Sequence, residues 1–213
     1  MGFYSNLIEN VINKKRSKFN NIKFIGYLLN KYPHTFELVH SIAEIINLKK
    51  PQRCFIDHDL YYVAHDLYTQ RLYLCFKTVL MIDIDYKSGD FSNIEDIRNF
   101  LSEQCHQLNL VGWFFQSANG AHLFLIDKHR DFRSRESINL MLKLRSDPMY
   151  TIFSHIRGWS VRLSRKEEER ELSKTIYEDM GIIGNQKLIN RELVKLVKLH
   201  IRYSSNTKRF ING

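Results

Sequence analysis

Two aspartates, Asp83 and Asp85, close the apolar run Val79-Leu80-Met81-Ile82-Asp83-Ile84-Asp85. In a strand successive side chains alternate faces, so both carboxylates project from one side while Ile82 and Ile84 enter a hydrophobic layer. Two carboxylates held side by side repel unless a cation sits between them, and a hard divalent ion bound this way can grip phosphate oxygens. Further polar residues follow: Ser117, Asn119, Gly120 and His122 in one short segment, then Asp147, Arg162 and Lys166. Each has an ordinary structural use as well. Asp83 and Asp85 suit a strand end in water, Ser117 and Asn119 a turn, and His122 a hairpin histidine without a ligand. Asp147 before Pro148 suits a helix N-cap, and Arg162 with Lys166 suits a solvated strand face.

The elements that must hold these residues show in the hydrophobic pattern. Residues 1–50 carry apolar positions at helical spacing, in Leu7, Ile8, Val11 and Ile12, in Phe24, Ile25, Leu28 and Leu29, and from Phe36 to Leu48. From Arg53 to Asp85 the texture changes to short runs of Tyr, Val, Leu and Phe, which predict strands. Ser92-Asn93-Ile94-Glu95 has the form of a capping box and predicts a helix from about Asn93 to Gln107. Leu110 to Gln116 and Ala121 to Ile126 predict a hairpin whose tight connection carries an Asn-Gly signal at Asn119-Gly120. A helix over 134–146, a second opened by Asp147-Pro148, a strand from Trp159 to Leu163 and an amphipathic helix from Ile189 to Arg202 complete the reading. This is an α/β (α+β) pattern in three parts: a helical segment over 1–50, a core over 51–180 and a basic C-terminal helix over 181–213.

At 213 residues the chain can bury a real core. Its formal charge of +9 is unevenly spread, at +5 over residues 1–50, −2 over 51–149 and +6 over 150–213. Acidic groups gather in the middle between basic flanks, as suits a metal-carboxylate centre beside surfaces for a polyanion. Cys54, Cys75 and Cys105 are odd in number and scattered, which indicates neither a disulfide framework nor a zinc module and predicts a reducing cytoplasmic or nuclear setting. No run reaches the ~18–20 apolar residues of a membrane span, and the start lacks a secretory h-region, so neither membrane insertion nor secretion is expected.

In their order, the strand ending in Asp83-Ile84-Asp85, the hairpin with Gly120-Ala121-His122, Asp147, and the strand carrying Arg162 followed by Lys166 resemble the archaeo-eukaryotic primase superfamily. Ser146 stands where that pattern has an apolar residue before the third aspartate. The resemblance covers about Arg53 to Lys166. It implies a catalytic core with a two-layer sheet-and-helix arrangement like an RNA-recognition fold, and a two-metal nucleotidyltransferase in which Asp83, Asp85 and Asp147 bind Mg²⁺ or Mn²⁺. His122, Ser117, Asn119, Gly120, Arg162 and Lys166 would then contact the incoming nucleoside triphosphate. The partners so implied are a single-stranded or primed DNA template, with unwinding left to a separate helicase. Lys14, Lys15, Arg16, Lys195 and Lys198 offer basic groups to that template.

Three other readings use the same residues. A nucleic-acid-binding replication-initiation or accessory protein would keep the fold without catalysis. A glycosyltransferase would use Asp83 and Asp85 on a nucleotide sugar, against which the basic flanks weigh. A rolling-circle nickase needs a His-x-His pair where this chain has Ala121-His122-Leu123.

Overall fold

The computed structural model describes residues 21–46, 52–66, 71–86, 90–163 and 177–205. Helix α1 (Asn21–Lys31) and α2 (Phe36–Ile46) precede three strands, β1 (Gln52–Asp57), β2 (Tyr61–Asp66) and β3 (Arg71–Phe76). Strand β4 (Met81–Asp85), α3 (Ile94–Gln107), β5 (Val111–Ser117) and β6 (Gly120–Leu125) follow, then α4 (Arg135–Lys143), α5 (Pro148–Arg157) and β7 (Trp159–Arg162). The described chain ends with β8 (Tyr177–Gly184), a 3₁₀ turn at Gln186–Leu188 and α6 (Arg191–Ser205). The helical reading of Leu7 to Ile12 falls outside the described residues, as do Lys14, Lys15, Arg16 and Lys166.

The strands form two antiparallel sheets, ordered β1-β2-β3-β7 and β4-β6-β5-β8, so the α+β class expected from the pattern holds. In the second sheet the apolar positions decide the layering. Ile82 and Ile84 of β4 pair with Leu123 and Ala121 of β6, whose other neighbours include Phe114, and all of these are buried. Helix α3 covers the sheet with buried Ile97, Leu101 and Cys105. On the opposite face Phe115 and Phe124 take the ring of His200 from α6, at centroid distances of 5.7 and 5.3 Å. Among the described residues no helix is long and apolar enough to cross a membrane.

Three local features differ from expectation. The cap of α3 is Asn93, not Ser92: its side chain accepts from the Asp96 amide at 3.0 Å, and the Asp96 carboxylate answers Asn93 Nδ2 at 2.9 Å and the Ser92 amide at 3.3 Å. Asp96 thus answers the cap through the Asn93 side chain and the Ser92 amide, in place of the cap's own backbone amide that a capping box would use. The hairpin turns at Ala118-Asn119, because Ser117 pairs directly with Gly120, which opens β6. Strand β8 is an edge strand that the alternation does not announce. Its register against β5 shifts between Trp113 and Phe115, opposite Gly181 at φ 89°, and Asp179 braces the bulge by accepting from the Trp113 indole at 2.7 Å and the Gly181 amide at 2.9 Å. The expected segments 1–50, 51–180 and 181–213 contribute to one core, through Leu28 and Leu38, Trp159 and Phe124, and Leu193 and Val197, and β8 runs across 180–181.

Candidate active site

A cleft of about 180 Å³ opens where the two sheets meet. Asp83, Asp85, Ser117, Asn119, His122 and Arg162, all singled out in the sequence, line it together, with Tyr73, Met81, Ala118, Tyr150, Arg157, Ser160 and Tyr177. Asp83 and Asp85 come to it from β4, Arg157 from the end of α5 and Arg162 from β7 of the other sheet.

Asp83 sits opposite His122 in the β4–β6 ladder. Its amide and carbonyl bond outward to residues 146 and 147, away from β6, so the pair is of the non-hydrogen-bonded kind, in which facing side chains come closest. His122 Nε2 accordingly lies 3.2 Å from Asp83 Oδ1, with the side chains 10% and 24% exposed. The other face of the imidazole packs on Tyr177 at 4.8 Å, and Tyr177 on His200 at 4.4 Å. Burial, with a smaller contribution from His122, pushes the His200 imidazole down to about 3, so His200 is neutral in the folded protein.

Gly120 faces Asp85 in the ladder and holds the hairpin against β4. A Cβ there would drive into the Ile84 carbonyl oxygen and sit 2.9 Å from Asp85 Cα. The Tyr86 amide also donates to the Asn119 carbonyl at 2.9 Å. The turn bearing Ser117 and Asn119 is thus fastened to the end of the strand bearing the carboxylates.

Asp147 comes next to Asp83 but does not line the cleft. Its amide donates to the Asp83 carbonyl at 2.6 Å, and its carboxylate caps α5 by accepting from the Tyr150 amide at 2.7 Å. Burial pushes this carboxyl above the usual aspartate value, the Tyr150 amide works against that shift, and the Asp83 charge adds to it. Of the two roles expected for Asp147, helix cap and third metal ligand, the capping role is the one its hydrogen bonds display. Among the described residues no three His, Cys, Asp or Glu side chains gather as a metal-binding group. Asp83 and Asp85 form a pair of carboxylates on one strand face, which suits Mg²⁺, an ion that takes one or two carboxylates and completes its shell with waters and substrate phosphates.

Sequence reasoning missed Arg157 and Ser160. Arg157 ends α5, where a basic residue is read as complementing the helix dipole. Its guanidinium instead donates to Ser160 Oγ at 3.0 Å and lies 5.3 Å from the centre of the Tyr73 ring. In β7, Ser160 and Arg162 alternate with buried Trp159 and Val161 and pair with Cys75 and Tyr73. That period of two was the available signal: Ser160 shares its face with Arg162. Tyr177 fixes this wall by donating its hydroxyl to the Arg162 carbonyl at 3.1 Å. A scan of the chain against protein-family models, a search of curated proteins and a search of solved structures each returned no match.

Proposed function

We propose that the chain is a metal-dependent nucleotidyltransferase of the primase-polymerase kind, joining nucleoside triphosphates on a DNA template. One observation carries the reading: Asp83 and Asp85 of one sheet line a single cleft together with Arg157 at the end of α5 and Arg162 of the other sheet. A triphosphate that carries a divalent ion needs both kinds of group, carboxylates for the ion and cations for the remaining phosphate charge. Asp83 and Asp85 would hold Mg²⁺ or Mn²⁺, which when bound offsets the charge building on the attacking 3′-hydroxyl and the leaving pyrophosphate. Arg157 and Arg162 present planar forks suited to phosphate oxygens, with Arg157 braced by Ser160. Ser117 and Asn119 add polar groups at the hairpin end, and His122 contributes an imidazole at the cleft floor. Exposed Lys195 and Lys198 on α6 offer a salt-sensitive surface to the template.

The test is incorporation of a labelled nucleotide on primed and unprimed DNA templates with Mg²⁺ or Mn²⁺. Wild-type protein should extend or prime, and Asp83→Ala with Asp85→Ala should stop it while leaving DNA binding intact. Metal-independent incorporation, or full activity in the double variant, would refute the proposal. The contact between His122 and Asp83 favours a second reading, a non-catalytic nucleic-acid-binding accessory protein in which that pair is structural. DNA binding with no incorporation under any metal would select it.

A further inference from the structure

We propose that Ser146 and Asp147 form a clamp that positions Asp83, with Asp147 joining strand to helix and taking no place among the metal ligands. The proposal rests on the reading of Asp83 as a metal-binding carboxylate. Strand β4 lies at the edge of its sheet, so alternate backbone groups face away from β6 and need other partners. At Asp83 both are met by one short segment. The Asp83 amide donates to Ser146 Oγ at 3.2 Å, the Ser146 hydroxyl donates back to the Asp83 carbonyl at 3.4 Å, and the Asp147 amide donates to that carbonyl at 2.6 Å. Ser146 is itself buried, so no water stands in readily for its hydroxyl.

The clamp continues into α5. The Asp147 carboxylate accepts from the Tyr150 amide, and its carbonyl accepts from Thr151 Oγ1 at 2.9 Å. Asp83 is thereby tied to the first turn of a ten-residue helix whose last residue, Arg157, stands on the cationic wall. One rigid element spans from the carboxylate strand to the phosphate-binding side and fixes their separation. A serine before the aspartate serves this geometry directly, since an apolar residue there could not bridge the amide and carbonyl of Asp83.

Asp147→Asn keeps a good capping side chain while removing the carboxylate, and Asp83→Asn serves as the ligand control. Binding of Mn²⁺ together with a non-hydrolysable nucleoside triphosphate is read from the electron paramagnetic resonance of the free ion. Asp147→Asn should bind Mn²⁺ within about threefold of wild type, Ser146→Ala should weaken it about tenfold, as loss of an outer partner does, and Ser146→Thr should restore it. Asp147→Asn losing Mn²⁺ as fully as Asp83→Asn would make Asp147 a ligand and overturn the proposal, as would wild-type affinity in Ser146→Ala. Amide exchange followed by NMR without metal or nucleotide reads the clamp independently. In Ser146→Ala the Asp83 amide should exchange at least about tenfold faster, the cost of a lost buried partner, while the Ile82 amide, which faces β6, is unchanged. Unchanged exchange at Asp83 overturns the clamp. A wild-type protein that binds no Mn²⁺ but shows the exchange effect sinks only the nucleotidyltransferase reading.

Discussion

Gly120→Ala tests how tightly the hairpin governs the carboxylate strand. The new Cβ would lie 2.8 Å from the Ile84 carbonyl carbon and 2.9 Å from Asp85 Cα, besides striking the Ile84 oxygen. Ordinary carbon contacts are near 3.5 Å, so β4 and β6 must part by at least about 0.7 Å where backbone, not a flexible side chain, is in the way. Overpacking of this kind costs about 2–3 kcal/mol. For a chain of this length that corresponds to a fall in Tm of roughly 4–12 °C. The displacement also exceeds the ~0.5 Å within which a reactive constellation must be held, and a shift near 1 Å costs about 100-fold in rate. Gly26→Ala is the matched control, since a Cβ at that α1 position meets nothing within 4 Å. It should stabilise by about 0.5–1 kcal/mol through helix propensity. Urea unfolding followed by circular dichroism, alongside the incorporation assay, reads both variants. A Gly120→Ala protein as stable and as active as Gly26→Ala would refute the argument that the Gly120 contact sets the position of Asp85.

Two further outcomes follow from local chemistry. His200 stays neutral in the folded protein with its imidazole down at about 3, whereas the unfolded chain takes up that proton near 6.5. The unfolded state therefore binds more protons as pH falls from about 6.5 to about 3, and stability is lost on acidification across that window. His200→Phe should reduce the loss between pH 7 and pH 5 by roughly 2 kcal/mol in urea unfolding, and an unaltered pH dependence would contradict the assignment. Asn93→Ala should cost about 1 kcal/mol as the true cap of α3, against less than about 0.5 kcal/mol for Ser92→Ala. Equal losses, or the reverse order, would restore Ser92 as the cap.

The parts of the fold legible in the sequence are those with an uninterrupted period. The apolar run from Val79 passes into alternation at Ile82-Asp83-Ile84-Asp85 and holds strand β4, Ile94 to Cys105 repeats at helical spacing and lies in α3, and Asp147-Pro148 opens α5 as its chemistry demands. Strand β8 was hidden because Glu178, Asp179, Gly181 and Gly184 interrupt the alternation, and the bulge that reconciles them depends on Trp113, far away in the chain. At the cleft, Asp83 and Asp85 were legible because a two-residue spacing fixes their shared face without tertiary knowledge. Arg157 was not, since nothing local distinguishes a helix-ending arginine from one that a neighbouring strand turns into a cleft. Asp147 was legible as a cap from its place before Pro148, and its residue type fits ligation as well; what no local pattern announces is the bond from its amide to the Asp83 carbonyl, which depends on a strand far away in the chain.

All six residues of β6 are buried, and Leu123-Phe124-Leu125-Ile126 is the kind of short apolar, uncharged stretch that associates with copies of itself when uncovered. Both of its pairing partners, β4 and β5, precede it in the chain. During synthesis from the N-terminus they leave the ribosome first, together with the helix that covers them. The strand thus emerges after both of its neighbours and the helix over one face, while α6, whose His200 covers Phe124 on the other face, follows it, so that face waits for the C-terminal helix to be made.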